Sequence, residues 1–409
     1  MTLDPADRLA RYADLIVRVA ANVQPGQDVY LVANVAHVPI ARAIAERAYA
    51  VGAGRVVVEY TDEHLRRSAI LHADEEALRS TYRYELERIR EFRDRQAALV
   101  FLTGNPEPHL FDGLDPKRVA ARRSEMDQAA IDVIFSGDVA WTVVPAPNAG
   151  WAAQVFGEPD VERLWDAVAV AIRLDQPDPV GAWRDHLALL TKRRDRVNAL
   201  ALDSVHFRGP GTDLVVKLIA GSSWVTGAIT SNRGVDYVPN VPTEEVFTSP
   251  DWRQTEGTAR VTAPVVLGGG SLVQGLQLRF EGGRIVDIQA DSGADLVRAQ
   301  IEEDEQAAYL GEVALVDGSS AVARAGVVFH DTLFDENANS HIAWGRGFEE
   351  ALPGSAELNP EARLAAGLNQ SRIHTDVVIG GPEVAVDGVG RDGRVTPLIR
   401  ADRWVLESD

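Results

Sequence analysis

The chain has 409 residues, of which 45% are hydrophobic and 25% are charged, and it contains no cysteine. The lack of cysteine excludes disulfides, iron–sulfur clusters, cysteine-ligated zinc and a thiol nucleophile. The formal net charge of −20 repels phosphate backbones, so we expect no nucleic-acid partner.

The first part of the chain alternates predicted helices and strands. An Asp4-Pro5 start precedes apolar residues at helical spacing over 9–19, which is typical of an amphipathic helix. The same criteria predict strands at 28–34, 55–60 and 97–103 and helices at 39–51 and 116–135. Strands that alternate with helices favour a mostly parallel sheet with helices on its faces.

A helical pattern over 164–200 joins this part to one in which strand patterns dominate. Strands are predicted at 205–207, 214–219, 260–267, 271–280 and 284–290, and helices at 295–308 and 361–367. We therefore predict an α/β scaffold domain at residues 1–190. A strand-rich α+β catalytic domain is predicted at 191–409.

The sequence predicts a cytoplasmic protein without a membrane anchor. No apolar run approaches the ~18 residues of a membrane span. The first residues, Met1 to Pro5, lack the basic and apolar regions of a secretion signal.

Residue types that bind metal ions are concentrated in the second part of the chain. Carboxylates mixed with imidazoles suit Zn, Mn, Co or Fe better than Ca or Mg alone. Four to six such ligands are enough for two adjacent ions, an arrangement that activates water for hydrolysis. The candidates are Glu244, Glu245, Glu312, Asp335, Glu336, His341, His374 and Asp376.

Each of these residues also has a purely structural interpretation. His374 and Asp376 project to one face of a strand, but so short a motif also occurs on ordinary surface strands. Glu312 precedes an apolar run and needs a compensating cation or an arginine partner. The segment 335–341 also fits a loop that caps a short helix.

Three further features leave alternatives open. Strand alternation lets only one of Glu244 and Glu245 face the interior. The segment 206–214 contains Gly-Pro-Gly and fits either a functional loop or an ordinary hairpin turn. His330-Asp331 either hydrogen-bonds a metal ligand and so orients it, or is an ordinary packed or solvated pair.

Several long segments carry a family resemblance over nearly the whole chain. They include NVPTEEVFT at 240–248, GEVALV at 311–316, DTLFDENA at 331–338 and His374-x-Asp376. With these segments the chain resembles the M29 family of metallo-aminopeptidases, of the aminopeptidase T and aminopeptidase S type. The resemblance implies release of N-terminal residues from peptides, an α/β N-terminal domain, a metal-binding C-terminal domain and a homodimer.

The resemblance also implies a site with two divalent metal ions, of which Zn, Co, Mn and Mg are the candidates. Glu312 would bridge the two ions and is a catalytic candidate. The implied metal ligands are Glu245, Glu312, Glu336, His341, His374 and Asp376.

Phe348 departs from the family pattern at a catalytic position. The family has a tyrosine seven residues after the first metal-binding histidine, and here that position, counted from His341, is Phe348. The ring is kept and the hydroxyl is lost. Val377, where the family usually has an aromatic residue, is a second departure.

Two other functions compete with peptide hydrolysis. The M29 fold resembles ring-cleaving dihydroxypyridine dioxygenases with mononuclear iron, but those enzymes replace carboxylate ligands with histidine, whereas this chain retains Glu245 and Glu312. A weakened enzyme that only binds peptides is the second alternative, because Phe348 lacks the tyrosine hydroxyl.

Overall fold

The computed structural model describes residues 4–119, 121, 124–134, 136–267 and 271–406. The chain divides into two compact units, one formed by Met1–Arg184 with Ala228–Val241 and the other by Asp185–Gly227 with Pro242–Asp409. The division into domains at 1–190 and 191–409 stays a prediction. Among the described residues, no helix is long and apolar enough to cross a membrane.

The described α-helices are, in chain order, α1 (Pro5–Leu15), α2 (Val38–Ala50), α3 (Glu63–His72), α4 (Glu75–Arg79), α5 (Arg83–Asp94), α6 (Pro116–Val119), α7 (Ser124–Ile134), α8 (Ala149–Phe156), α9 (Val161–Ala171), α10 (Pro179–Ala199), α11 (Ala294–Ile301), α12 (Ala321–Ala325), α13 (Thr332–Asp335) and α14 (Pro360–Ala365).

The described strands are β1 (Val29–Asn34), β2 (Val56–Thr61), β3 (Ala98–Thr103), β4 (Trp141–Pro145), β5 (Leu202–Gly209), β6 (Thr212–Leu218), β7 (Val225–Thr226), β8 (Ile229–Thr230), β9 (Asp236–Tyr237), β10 (Val246–Thr248), β11 (Pro250–Arg260), β12 (Val265–Leu267), β13 (Ser271–Val273), β14 (Gln277–Glu281), β15 (Arg284–Gln289), β16 (Leu310–Leu315), β17 (His341–Gly345), β18 (His374–Val378), β19 (Ala385–Gly390), β20 (Val395–Arg400) and β21 (Arg403–Trp404).

The first unit contains a parallel sheet in the order β2-β1-β3-β4. Its first helix begins as predicted, with Pro5 in the first turn and the Asp4 carboxylate accepting a hydrogen bond from Ala6 N–H. The predicted helix at 116–135 falls on α6 and α7, and its residues 120, 122, 123 and 135 lie outside the described residues. The predicted α/β fold with a parallel sheet is confirmed.

The second unit is built from antiparallel sheets, which confirms the strand-rich prediction. Five strands form one sheet in the order β18-β17-β16-β10-β7, and eight form another in the order β15-β14-β11-β6-β5-β19-β20-β21. Apolar side chains from both sheets share one core, for example Phe207 and Val313, which are fully buried. The segment 206–214 is the ordinary hairpin between β5 and β6, with Gly211 at a φ of +79°.

Three neighbouring strands of the five-stranded sheet, β16, β17 and β18, carry four of the six predicted ligands. All six residues of β16 are buried, which is typical of a central strand packed on both faces. The register pairs Glu312 with Ala343, and Ala343 with Asp376. Carboxylates 64 positions apart in sequence therefore lie one strand apart on either side of β17.

Candidate metal centre

The structure brings the six predicted ligands together beside the strands β16, β17 and β18 of the five-stranded sheet. Glu245 directly precedes β10, Glu312 lies in β16, and His341 begins β17. His374 and Asp376 lie in β18, while Glu336 begins a short 3-10 turn after α13. Three strands and two loop segments thus bring polar side chains together among the buried apolar residues of the sheet.

The first group of candidate ligands contains two carboxylates and one imidazole. His341 Nε2 lies 3.1 Å from Glu245 Oε2 and 3.9 Å from Glu312 Oε1. His341 is 1% exposed. One ligand atom from each of the three residues lies within 4.8 Å of the others, a spacing that suits coordination of one ion.

The second group shares Glu312 with the first. His374 Nε2 lies 3.2 Å from Glu312 Oε2 and 3.3 Å from Asp376 Oδ1. The two oxygens of Glu312 therefore face different groups. Glu336 lies beside Asp376 and hydrogen-bonds its carboxylate.

Backbone carbonyls fix the orientation of both imidazoles. His341 Nδ1 lies 3.1 Å from the carbonyl oxygen of Asn339, and His374 Nδ1 lies 2.7 Å from that of Arg346. A carbonyl can only accept, so each Nδ1 carries the proton in the neutral ring. Each Nε2 therefore faces the carboxylates: the protonated ring donates to them from Nε2, and the neutral ring has its Nε2 lone pair available to a metal ion in the same position.

Burial and crowding perturb the acids of the centre. Burial, reinforced by the charges of Asp376 and Glu245, raises the pKa of Glu312 to about 7. Burial also raises the pKa of Glu336 well above its usual range. Without a cation, the acids therefore tend to hold protons.

The pKa values of His341 and Asp376 shift toward the charged form of each group. Burial alone would lower the pKa of His341, but its hydrogen bond to Glu245 and the surrounding carboxylates outweigh it and raise the pKa to about 9. Burial opposes ionisation of Asp376, but the charge and hydrogen bond of His374 hold its pKa at about 2. The imidazoles thus take the part of cations beside the acids.

The donor set fits divalent cations. Among the described residues, no arginine or lysine forms an ion pair with Glu245, Glu312, Glu336 or Asp376. Asp376 Oδ1 is buried, and its positively charged neighbour is His374 Nε2 at 3.3 Å. Buried carboxylates that lack a protein cation require another positive charge, which a metal ion supplies.

Comparison with known proteins places this chain in a family. The chain matches a peptidase family described as thermophilic metalloprotease (M29) over residues 6–404. The chain belongs to the M29 family. The predicted family resemblance is confirmed.

Individual relatives agree over the whole chain. Aminopeptidase T of Thermus thermophilus is 41% identical, with 97% of this chain and 98% of that protein covered. The solved structure of wild-type AmpT from Thermus thermophilus superposes with a TM-score of 0.90 at 38% identity, covering 98% of this chain and 99% of that one. Family membership and these names confirm the predicted enzyme class, a metallo-aminopeptidase of the M29 type.

A more distant likeness concerns the fold alone. A 2,5-dihydroxypyridine dioxygenase structure from Pseudomonas putida superposes with a TM-score of 0.55 at 12% identity, covering 98% of each chain. At so low an identity, the similarity shows a shared fold and gives no information about chemistry.

Phe348, the predicted departure from the family pattern, lies against the centre. The Phe348 ring packs edge-on against the His374 ring, with centroids 5.1 Å apart, and against Phe247 at 4.9 Å. Phe348 N–H donates a hydrogen bond to Ser249 Oγ at 2.7 Å. The aromatic residue therefore supports a proposed ligand even without a hydroxyl.

The structure also separates the two neighbouring glutamates. Glu245 faces His341, whereas Glu244 Oε1 accepts a hydrogen bond from Ala321 N–H at 3.2 Å. His330 forms no hydrogen bond to any of the six candidate ligands in the described part of the chain. Sequence reasoning missed Asn337, whose side chain contacts Glu336, and no residue-type signal distinguishes it from other loop asparagines.

Proposed function

We propose that this M29 enzyme uses two divalent metal ions to release N-terminal residues from short peptides. The observation that carries the proposal is the position of Glu312. Its two carboxylate oxygens face different groups of candidate ligands, which is the arrangement that a bridging carboxylate requires.

The six ligands divide between the two ions as follows. Glu245 and His341 would hold one cation, His374 and Asp376 the other, and Glu312 both; Glu336, beside Asp376, would complete the second set. Two cations held by these residues would supply activation of a water molecule and electrostatic stabilisation of the developing oxyanion. A glutamate of the cluster, among Glu245, Glu312 and Glu336, would carry the proton from the water to the leaving amine.

We further propose a cytoplasmic homodimer. The family resemblance supports a dimer with the same contact on both subunits, and the charge of −20 disfavours nucleic-acid partners. Light scattering at micromolar concentration should give about twice the chain mass of 44.4 kDa. A constant mass of one chain over a dilution series would contradict the dimer.

Metal analysis and a substrate panel test the proposed function. Protein purified without chelator should contain two divalent ions per chain and should cleave aminoacyl-nitroanilides. Chelation should abolish cleavage, and re-addition of Mn²⁺, Co²⁺ or Zn²⁺ should restore it. N-acetylated versions of the same substrates are the matched control, since an aminopeptidase requires a free amine. Cleavage of the acetylated substrates would contradict an exopeptidase.

The same preparation distinguishes the competing functions. A ring-cleaving dioxygenase should contain one iron per chain and consume oxygen with dihydroxypyridine. Glu245 and Glu312 lie among the candidate ligands, where the dioxygenases replace carboxylates with histidine, and this disfavours that function. Peptide binding without turnover, in protein with both ions bound, would indicate a binding protein instead.

A further inference from the structure

Asn337 lies where two ligand-bearing segments meet. Its side chain is almost completely buried, with 1% of the residue exposed. Its Oδ1 accepts a hydrogen bond from Glu244 N–H at 2.7 Å. Its Nδ2 donates to Leu333 O at 2.9 Å and to Glu336 Oε1 at 3.4 Å. Its backbone carbonyl accepts from Ser320 Oγ at 2.6 Å.

These bonds connect two proposed metal ligands through one amide. Glu244 directly precedes Glu245, so its bond to Asn337 fixes the backbone that carries Glu245. The opposite end of the amide reaches the Glu336 carboxylate itself. The amide cannot be turned around without facing two donors, Nδ2 and the Glu244 N–H, toward each other.

The amide also leaves part of Glu336 available. Only Oε1 of Glu336 contacts Asn337, and the carboxylate still reaches Asp376. A neutral amide can hold one carboxylate oxygen without neutralising the group, whereas an arginine would remove the charge that a cation needs. Asn337 therefore orients Glu336 while preserving its affinity for a cation.

We infer that Asn337 is a positioning residue that sets the separation of the Glu245 and Glu336 carboxylates and so determines the affinity for both cations. This inference rests on the proposed two-metal function. Groups behind metal ligands typically contribute about 10–100-fold to metal affinity or activity. Asn337 is such a group for two ligands, because its Oδ1 holds the backbone next to Glu245 and its Nδ2 contacts Glu336.

Asn337→Ser tests the inference with a neutral and shorter side chain that reaches neither Glu244 nor Glu336. Calorimetric titration of metal-free protein with Co²⁺ should show about tenfold or greater weakening of both ions, because both the Glu245 side and the Glu336 side of the contact are lost. Activity should return when Co²⁺ is raised by the same factor. A merely structural role would lower Tm without changing either affinity.

Asn369→Ser is the matched control. Asn369 is fully buried and also donates to backbone carbonyls, those of Gln306 and Tyr309, but none of its side-chain bonds reaches a proposed ligand. Its substitution should lower Tm and leave both Co²⁺ affinities unchanged.

Asn337→Asp gives a second test in case the serine variant does not fold. The aspartate keeps an acceptor for Glu244 N–H and replaces the donor by an oxygen that repels Glu336. Positioning predicts weaker binding of the second ion, whereas added negative charge alone would strengthen it. Unchanged or tighter binding of both ions in a folded variant overturns the inference.

The wild-type titration separates this inference from the function on which it depends. Fewer than two bound ions in the wild type would overturn the proposed function, and the inference with it. Two bound ions in the wild type, with affinities within about twofold in Asn337→Ser or Asn337→Asp, would overturn the inference alone.

Discussion

Two buried acidic clusters of the second unit have different sources of positive charge. Asp387 is 1% exposed, and its two carboxylate oxygens form ion pairs with Arg208 and Arg400. Glu312 is 3% exposed, and among the described residues its charged neighbours on the positive side are two histidines. The charge of Asp387 is balanced by two arginines of the chain. The carboxylates around Glu312 have no arginine or lysine partner among the described residues, and they require a cation from solution.

This difference shows that the fold tolerates buried carboxylates without arginine partners at the candidate metal centre. An unpaired buried carboxylate costs several kcal/mol, and proteins avoid that cost with arginine partners or with protonation. The candidate metal centre keeps its buried carboxylates without arginine partners, and burial raises the pKa values of Glu312 and Glu336. Such perturbed acids in a common pocket are the pattern expected where a protein binds a cation or performs chemistry.

Glu312→Gln should break the metal centre most completely. The amide has nearly the same shape but cannot bridge two cations, so their repulsion at about 3.5–4 Å would be unrelieved. We expect at least one ion to be lost and activity to be abolished, with the fold intact by circular dichroism. Elemental analysis and aminoacyl-nitroanilide assays measure both effects. Full metal content with near-normal turnover would exclude the proposed centre.

The metal-free protein should lose stability as pH rises. Burial raises the pKa of Glu312 to about 7, so its contribution to stability is complete below its ordinary pKa and is lost as pH rises through about 7. The carboxylates raise the pKa of His341 to about 9, so its contribution is lost between about 6.5 and 9. Tm in chelator should therefore fall from pH 5 to 9.

Saturation with metal should change this pH profile. The ions would take the place of the protons, so Tm should be higher and should no longer fall over the same pH range. A metal-free profile that is flat or rises from pH 5 to 9 would contradict the charge arrangement described for the centre.

Asp387→Asn should affect stability and leave metal binding unchanged. Removal of one member of a buried ion pair costs about 3–5 kcal/mol. We expect about 2–3 kcal/mol, because the Arg208 side chain is 52% exposed and water can hydrate it. Urea unfolding measures the loss, and Co²⁺ titration checks that both ions still bind. A metal-binding defect in this variant would show that the two clusters are coupled.

The sequence predicted the local elements and the candidate ligand types better than the way in which distant segments pair. The alternation of elements identified β1, β2 and β3. Carboxylate and imidazole types gave eight candidate ligands, and the family resemblance reduced them to six. The register that sets Glu312 and Asp376 on either side of β17 depends on pairing between distant strands, which local patterns do not encode. For the same reason the contact of Asn337 with Glu336 could not be predicted.

Phe348→Tyr should produce the smallest change, and the only expected gain. The Phe348 ring already packs against His374, so an added hydroxyl would extend an existing contact and leave the packing intact. A hydroxyl that donates to the developing oxyanion acts mainly in the transition state. We therefore expect kcat on aminoacyl-nitroanilides to rise by about tenfold, or about 1.4 kcal/mol, with little change in KM. Phe247→Tyr is the matched control, since Phe247 also packs against the Phe348 ring, and it should not raise kcat. An unchanged or lower kcat in Phe348→Tyr would show that this hydroxyl is not what limits the enzyme, and that a different substrate or proton donor distinguishes it from its relatives.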